Sequence, residues 1–276
     1  MITCEGLVKI YRASGIEVFA LQGLDLRVAQ GEMVAIVGNS GSGKSTLLNI
    51  LGGLDHPSAG SAQVADWDLT KLTDRQRDAY RRRVAGFVWQ NSGLNLIPYL
   101  SAQENLLLAM QIAGVKPDQA EARRLLDLVG VGDRQAALPS QMSGGEQQRV
   151  AVAVALAHKP PLLLADEPTG ALDASSGQMV LEALQRVNGE LGTTILLVTH
   201  DMGVAALAGR SVRIRDGKVS TEALRGEGEM VILDTAGRLQ VPRKILDAAG
   251  IGRRATVTLR GRTVLLRSPD ENPSTR

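Results

Sequence analysis

The segment Gly38-Asn39-Ser40-Gly41-Ser42-Gly43-Lys44-Ser45 matches the pattern GxxxxGK(S/T) and decides the fold. The apolar run Met33–Val37 before it predicts a strand, and apolar residues at helical spacing from about Lys44 predict a helix. A glycine-rich turn in that context wraps backbone N–H groups around phosphates. We therefore expect Lys44 to reach the terminal phosphates of a nucleotide, Ser45 to bind magnesium and Thr46 to help hold the α-phosphate. A chance glycine turn before a lysine is the alternative, and the flanking strand and helix argue against it.

A parallel sheet is predicted around this loop. Residues 161–165 and 193–198 form apolar runs of the kind found in strands buried on both faces. Residues 74–83 and 118–129 have the apolar and charged spacing of amphipathic helices, so a largely helical section lies between two strand-rich ones. The predicted fold class is α/β, with a phosphate-loop core.

Antiparallel strands are predicted at both ends of this core. Residues 2–8 and 24–28 alternate apolar with polar side chains, which indicates an antiparallel β layer. Two further strands, 212–215 and 218–220, bracket Asp216-Gly217, a typical two-residue hairpin turn. A polar linker is predicted at residues 221–229, so the first domain would span residues 1–220.

The composition is that of a folded protein, with 44% apolar and 22% charged residues among 276. No apolar run approaches the about 20 residues that cross a bilayer, and the start MITCEGLVKIYR lacks a basic leader followed by an apolar block. We therefore expect a soluble, cytoplasmic chain. The net charge of +2 is unevenly spread, because residues 230–267 hold eight basic and two acidic residues.

Two carboxylates follow one of the buried strands. The run Leu162-Leu163-Leu164-Ala165 leads directly into Asp166-Glu167, at the sheet edge where parallel strands present their carboxyl ends to a ligand. We expect Asp166 to bind magnesium through water and Glu167 to act as the general base that polarises the attacking water. A solvated acidic loop after a core strand is the alternative.

The segment Met142-Ser143-Gly144-Gly145-Glu146-Gln147-Gln148-Arg149 resembles the LSGGQ signature of ABC ATPases. Physically it is a serine and glycine-rich turn that opens a helix, with Ser143 and Glu146 at capping-box spacing. The resemblance implies that Ser143, Gly144 and Gly145 contact the γ-phosphate bound by a second copy of the chain, so that two chains sandwich two ATP molecules. The implied cofactors are ATP and Mg²⁺.

The remaining positions of the family follow in the expected order along residues 1–220. Tyr11 resembles the aromatic residue that stacks on adenine, and Gln90 resembles a glutamine that contacts magnesium and the reacting phosphate. Asp173 lies in Ala171-Leu172-Asp173, which resembles the D-loop, and His200 resembles the switch histidine. Each of them alone has an ordinary structural explanation, and only the set carries weight. The resemblance thus implies that Glu167, His200, Gln90 and Lys44 are catalytic.

Two departures from the family pattern are small. Met142 stands where leucine is usual, and Val154 stands where relatives commonly carry arginine. Neither removes a catalytic element.

Within the family, the chain resembles the MacB/LolD/FtsE group. The residues that carry this resemblance are Gly86-Phe87-Val88-Trp89-Gln90, Gly93-Leu94-Asn95-Leu96-Ile97-Pro98 and Ala102-Gln103-Glu104-Asn105. It implies a transporter ATPase on the inner face of the cell membrane, where residues 91–114 receive an integral membrane permease. Relatives in this group export or extract substrates, and some transmit force without moving a solute, so that alternative stays open.

Residues 230–267 predict a second, small, mainly β domain, followed by a tail at 268–276. We expect strands at 230–233 and 238–241, a helix at 243–249 between Pro242 and Gly250, and a hairpin turning at Arg260-Gly261.

This segment resembles the AbrB/MazE swapped-hairpin domain, which implies that two chains interlock there into a dimerisation clamp. The same family can bind DNA, which makes an ATP-dependent DNA-associated regulator the rival function. The candidate phosphate contacts are Arg238, Arg243, Lys244, Arg253 and Arg254. A solvated basic face on the clamp is the other interpretation, because basic surface alone does not specify DNA binding.

Overall fold

The computed structural model describes residues 1–13, 16–224, 229–232, 237 and 239–269, without the side chains of Ala13 and Glu229. The chain divides into two compact units, Met1–Met230 and Val231–Arg276. The strands are β1 Ile2–Ala13, β2 Ile16–Val28, β3 Met33–Val37, β4 Ala59–Val64, β5 Trp67–Asp68, β6 Ala85–Val88, β7 Leu162–Asp166, β8 Thr194–Thr199, β9 Arg210–Arg215, β10 Lys218–Leu224, β11 Glu229–Val231, β12 Thr256–Arg260 and β13 Thr263–Arg267. The helices are α1 Lys44–Leu51, α2 Asp74–Arg83, α3 Ala102–Ile112, α4 Gln119–Leu128, α5 Gly144–Leu156, α6 Ala174–Leu191, α7 Met202–Ala205 and α8 Arg243–Ala248.

The large sheet has the strand order β11-β10-β9-β3-β8-β7-β6. Its centre is parallel: β3 pairs with β8 and β9, and β7 pairs with β8 and β6. The antiparallel β9–β10 hairpin closes one side. The predicted α/β class and its parallel strands are therefore confirmed.

Both faces of this sheet are covered, which explains why its central strands are apolar throughout. Ala35 and Val37 of β3 belong to a core shared with α3, α4, α5 and α6, whereas Val34 and Ile36 belong to a second core shared with α1 and the antiparallel strands. Each buried side chain of this size stabilises the fold by about 1.5–3 kcal/mol. The two cores hold β3, and the loop that follows it, from both sides.

The antiparallel layer is a second sheet with the order β2-β1-β4-β5. β1 and β2 are longer than the predicted strands 2–8 and 24–28, because their distal halves pair with each other as far as Ala13 and Ile16. Side chains in that part of the hairpin, including Ile16, Val18 and Phe19, are exposed. Sequence periodicity did not find these residues because they face no core.

The helical section contains α2 and α4, as predicted. Thr73 caps α2 in a capping box with Gln76, and Asp118 caps α4 by accepting from the N–H groups of Ala120 and Glu121. The helix predicted at residues 118–129 therefore begins one residue later and ends one residue earlier.

The predicted linker, residues 221–229, is wrong at both ends. β10 continues through Leu224, and β11 begins at Glu229 beside β10. Thr221 is buried, so a polar residue that reads as linker lies in a strand of the sheet. Residues 225–228 lie outside the described part of the chain.

The second unit has the predicted helix and hairpin, with small shifts. α8 follows Pro242 directly, and β12 pairs with β13 across Gly261-Arg262, one residue beyond the predicted turn. The strand predicted at 230–233 is observed at Glu229–Val231. The strand predicted at 238–241 is not found: Leu239 forms a single bridge, Gln240 and Val241 are in no strand, and Arg238 is outside the described residues. Most of the residues between these two predicted strands, 234–237, and most of the tail at 268–276 also lie outside the described residues.

No helix within the described residues has both the length and the apolar character needed to cross a membrane.

Gly86 is the site of a close contact in the parallel sheet. A Cβ at Gly86 would lie 2.3 Å from the carbonyl oxygen of Ala155, whereas a Cβ at Gly189, inside α6, would meet nothing within 4 Å. We expect Gly86→Ala to lower the free energy of unfolding by about 1–3 kcal/mol through overpacking. Gly189→Ala should raise it by about 0.5–1 kcal/mol through helix propensity. Urea unfolding of both variants checks this, and equal effects would contradict the assigned contact.

Candidate nucleotide site

The glycines of the phosphate loop allow an unusually close backbone approach. Gly43 precedes α1 with a φ of 102°, and a Cβ there would lie 2.4 Å from the carbonyl oxygen of Ala20. At Gly38 a Cβ would lie 2.3 Å from the carbonyl oxygen of Ile214. The loop is therefore held between β2 and β9, and larger residues at these two positions would push it out of place.

The polar groups of the loop suit an anion. The Lys44 ammonium group lies over the loop and donates to the carbonyl oxygens of Gly38 and Asn39, at 2.8 and 3.0 Å. The buried Ser42 hydroxyl oxygen has no hydrogen-bond partner among the described residues. The N-terminus of α1 adds its free N–H groups and positive potential. A cation, an unpaired hydroxyl and a helix N-terminus together fit a phosphate group.

A cleft of about 440 Å³ opens beside this loop. Predicted site residues from four separate parts of the chain line it: Tyr11 from β1, the loop with the start of α1, Glu167 after β7 and His200 after β8. The full lining is Tyr11, Val18, Phe19, Ala20, Ser40, Gly41, Gly43, Lys44, Ser45, Thr46, Glu167 and His200. The sequence did not predict three of these residues, Val18, Phe19 and Ala20. They belong to no motif, and the apolar and polar side chains around them alternate too weakly to indicate a site.

Asp166 and Ser45 form an oxygen pair at the carboxyl end of β7. The Ser45 side chain lies beside the Asp166 carboxylate, and burial, with the nearby Glu167 charge, raises the pKa of Asp166 despite Ser45 and Lys44. Hydroxyl and carboxylate oxygens are hard ligands of the kind that magnesium takes together with phosphates and waters. The described residues contain no cluster of three or more His, Cys, Asp and Glu side chains that could hold a metal unaided. The pair thus fits a nucleotide-bound magnesium.

Glu167 points its carboxylate at His200. The distance from Glu167 Oε2 to His200 Nδ1 is 3.0 Å. Glu167 has a φ of 44°, a conformation that is rare outside glycine, and its N–H donates to the carbonyl oxygen of Val198. Gln90 is close as well, because its side chain and that of Glu167 both lie next to Gly170. A Cβ built at Gly170 would be 3.0 Å from Gln90 Nε2 and 3.3 Å from Glu167 Oε2. Gln90, Glu167 and His200 are therefore brought together.

The signature segment does not line this cleft. Ser143 caps α5 in the expected capping box, with Glu146 N–H donating to Ser143 Oγ at 3.2 Å and Ser143 N–H donating to Glu146 Oε2 at 2.8 Å. Gly145 approaches α6 so closely that a Cβ would lie 2.8 Å from Ser176 Cβ. The signature therefore packs against the start of α6.

Asp173 also lies outside the cleft, at the start of α6. Its carboxylate accepts from the Ser175 and Ser176 hydroxyls and from Ser176 N–H, and these bonds hold the pKa of Asp173 well below its usual range. Asp173 is thus the N-cap of α6 and an exposed anion beside the signature.

Two glutamines of the signature helix hold the segment around Gln90. Gln148 Nε2 donates to the carbonyl oxygen of Trp89 at 2.8 Å, and Ser92 Oγ donates to Gln147 Oε1 at 3.2 Å. Gln148 is almost fully buried. Sequence reasoning placed both glutamines in the signature motif without finding these contacts, since residues 55 and 59 positions apart carry no local pattern.

A parallel sheet with a phosphate loop at its carboxyl edge, and with two carboxylates and a histidine beside that loop, defines a phosphate-loop ATPase. Residues 21–170 match the sequence model of the family described as ABC transporter. The chain belongs to this family, in which it is an ATP-binding subunit that hydrolyses ATP.

Individual relatives are similar over most of this chain. The macrolide export ATP-binding/permease protein MacB of Syntrophobacter fumaroxidans is 47% identical over 227 residues, which are 81% of this chain and 32% of that protein. The lipoprotein-releasing system ATP-binding protein LolD of Geobacter metallireducens is 46% identical over 215 residues, 77% of this chain and 95% of that protein. The chain thus spans about a third of the MacB protein and nearly all of LolD.

A solved structure has the same fold. It is a dimeric post-hydrolysis state of the ATP-binding cassette MJ0796 bound to ADP and Pi. It matches with a TM-score of 0.74 and 37% identity, and the match covers 83% of this chain and 100% of that one.

Proposed function

We propose that this chain is the motor subunit of a MacB/LolD-like transporter, located in the cytoplasm on the inner face of the cell membrane. ATP would close two copies around two nucleotides, and hydrolysis would reopen them while a membrane permease exports or extracts a substrate. One observation carries this proposal. The phosphate loop, Glu167 and His200 share one cleft, whereas the signature and Asp173 lie outside it, as a head-to-tail dimer requires.

Each residue of the cleft has a role in this proposal. Lys44 neutralises the terminal phosphates, and Tyr11 stacks on the adenine. Glu167 accepts a proton from the attacking water, and His200, in contact with Glu167 Oε2, orients that carboxylate. Magnesium, when bound, would neutralise phosphate charge, and Ser45, Asp166 and Gln90 are the side chains that would hold it.

The second copy would complete each site. Its signature residues Ser143, Gly144 and Gly145 would meet the γ-phosphate, and its Asp173 would face the reacting groups. The packing of Gly145 against Ser176 supports this, because it keeps the signature turn and the start of α6 on one surface. The similar MJ0796 cassette is a dimer in a post-hydrolysis state bound to ADP and Pi, which is consistent with an assembly of two copies.

Glu167→Gln tests the catalytic part. The amide cannot accept the proton, so we expect ATP hydrolysis to fall by about 10²–10⁴-fold while ATP binding persists. The ATP-bound dimer should then accumulate, as measured by size-exclusion chromatography with light scattering. Glu182→Gln, an exposed change on α6, is the control. Hydrolysis at the wild-type rate in Glu167→Gln would rule out Glu167 as the general base.

The proposed permease surface lies at residues 91–114. Tyr99 is 76% exposed, and Leu94 and Ile112 are similarly uncovered, so the surface is apolar. The buried Asn105 shapes it from below, because its Oδ1 accepts from Ile97 N–H and its Nδ2 donates to the carbonyl oxygens of Ile97, Leu100 and Ser101. A rigid apolar surface next to Gln90 suits a partner that must report on the nucleotide.

Tyr99→Ala combined with Leu94→Ala should weaken attachment to the permease. Tyrosine is enriched among the interface residues whose truncation costs about 2 kcal/mol or more of binding, so Tyr99 should account for most of the loss. Co-sedimentation of the full chain with native membranes measures this, with ADP affinity as the check that the fold is intact. Met179→Ala, an exposed apolar change on α6, is the matched control. Equal sedimentation of all three proteins would argue against this surface.

For the second unit we propose a dimerisation clamp of the AbrB/MazE type at residues 230–267. Its apolar side chains support this: Leu259 is 74% exposed and Val257 is 65% exposed, on a hairpin whose other strand exposes Val264. About 40 residues make a marginal core alone, and a second copy would cover these side chains. A tether of this kind keeps two ATPase subunits at high effective concentration after hydrolysis.

DNA binding by this unit, and force transmission without solute transport, are the alternatives. Arg253 and Arg254 are exposed and would suit phosphate contacts, whereas Arg243 already pairs with Asp247 at 2.8 Å. Force transmission would use the same motor with another membrane partner.

A chain ending at Met230 tests the clamp and keeps β10 complete. We expect the nucleotide-free dimer to dissociate at a concentration at least tenfold higher than for the full chain, as measured by analytical ultracentrifugation. Unchanged association would exclude the clamp. The rival function, DNA binding, is tested by titrating the full chain and Arg253→Ala/Arg254→Ala with duplex DNA over a salt series. Phosphate contacts would give binding that weakens steeply as the salt concentration rises.

A further inference from the structure

A partly buried ion pair lies next to the tyrosine of the cleft. Lys9 Nζ lies 2.6 Å from Asp55 Oδ1 and also donates to the carbonyl oxygen of His56 at 2.9 Å. Lys9 is only 6% exposed although it is a lysine. Buried ion pairs contribute little net stability, because desolvation offsets the attraction, but they fix geometry. The geometry that this pair fixes is that of Tyr11.

Tyr11 is connected to the same carboxylate. Its hydroxyl donates to Asp55 Oδ2 at 2.9 Å. Lys9 Nζ lies 4.9 Å from the centre of the Tyr11 ring, within the range of a cation–π contact. The two oxygens of Asp55 therefore have separate tasks, since Oδ1 binds the lysine and Oδ2 binds the tyrosine.

Asp55 is in turn fixed to the phosphate-loop helix. The N–H groups of Leu54 and Asp55 donate to the carbonyl oxygen of Asn49, in the last turn of α1, at 2.8 and 3.1 Å. The same helix begins at Lys44 and carries Thr46. Tyr11 is thus tied, through Asp55, to the chain just beyond the end of α1. The helix that holds the phosphates also sets the position of the ring.

We propose that Lys9 and Asp55 are positioning residues for the adenine: they hold the Tyr11 ring at a fixed height above the phosphate loop. The inference rests on the proposed role of Tyr11 as the adenine platform. It assigns Lys9 and Asp55 to base recognition and not to phosphate binding, because neither lines the cleft. Asp55 is anionic at neutral pH: partial burial opposes this, but hydrogen bonds from Lys9, His56 N–H and Tyr11 hold its pKa below the usual range.

A diphosphate with a base and one without a base distinguish recognition of the base from binding of the phosphates. Calorimetry of the full chain with ADP and with pyrophosphate is carried out on Asp55→Asn and Tyr11→Phe. The loss of one such hydrogen bond weakens binding about three- to tenfold, so we expect that loss for ADP. In Asp55→Asn, pyrophosphate affinity and kcat should change by less than about twofold, while KM for ATP rises in parallel with the ADP dissociation constant.

Three further variants make the test specific. Tyr11→Phe in the Asp55→Asn background should add little, because both changes break the same contact. Lys9→Met/Asp55→Asn removes the pair without leaving a buried charge, and should show the same loss for ADP if Asp55→Asn alone folds poorly. Glu17→Gln breaks an exposed pair with Arg12 on the same hairpin, at 2.9 Å, and should leave both affinities unchanged.

The outcomes distinguish the inference from the proposal beneath it. Equal weakening of ADP and pyrophosphate by Asp55→Asn overturns the positioning role, since that pattern means a general disturbance. Unchanged ADP affinity in Asp55→Asn, together with weakened ADP binding in Tyr11→Ala, overturns it while keeping the platform. Unchanged ADP affinity in Tyr11→Ala removes the platform itself, and the positioning role falls with it.

Discussion

The parallel pairing of β3, β8 and β7 is the constraint on which the site depends. The register places Val37 opposite Thr199 and Asp166 opposite Val198, so three strands end at one level. The phosphate loop follows the first strand, His200 the second and Glu167 the third. None of these groups is near another in the sequence, and the sheet alone makes them neighbours. The two cores that bury both faces of β3 hold this edge in place.

Much of this edge could be predicted from the sequence, because its motifs are local. The loop at residues 38–45, the strand before it and the carboxylates after β7 each follow from a short pattern of neighbouring residues. The distal hairpin of β1 and β2 could not be predicted, because strands that cover no core lack apolar alternation. Thr221 shows the opposite failure: a polar residue in a buried strand reads as a linker.

Contacts between distant residues escaped the sequence for a different reason. Lys9 and Asp55 are 46 positions apart, and a lysine next to strand residues reads as an exposed charge until the fold buries it. The same holds for Val18 and Phe19. They line the cleft only because the phosphate loop packs against β2. Motif patterns thus identify the residues of the phosphate loop and miss a contact such as Lys9–Asp55, which only the fold creates.

The hydrogen bonds of Gln147 and Gln148 link the signature helix to the segment around Gln90. In the proposed dimer, the first turn of α5 faces the nucleotide of one copy, and Gln90 faces the nucleotide of the other. The permease surface at residues 91–114 follows directly after Gln90. If the membrane partner rotated that surface, the movement would therefore reach both nucleotides at once, through α5. In the proposed dimer, such a linkage would join the two ATP sites into a single mechanical unit.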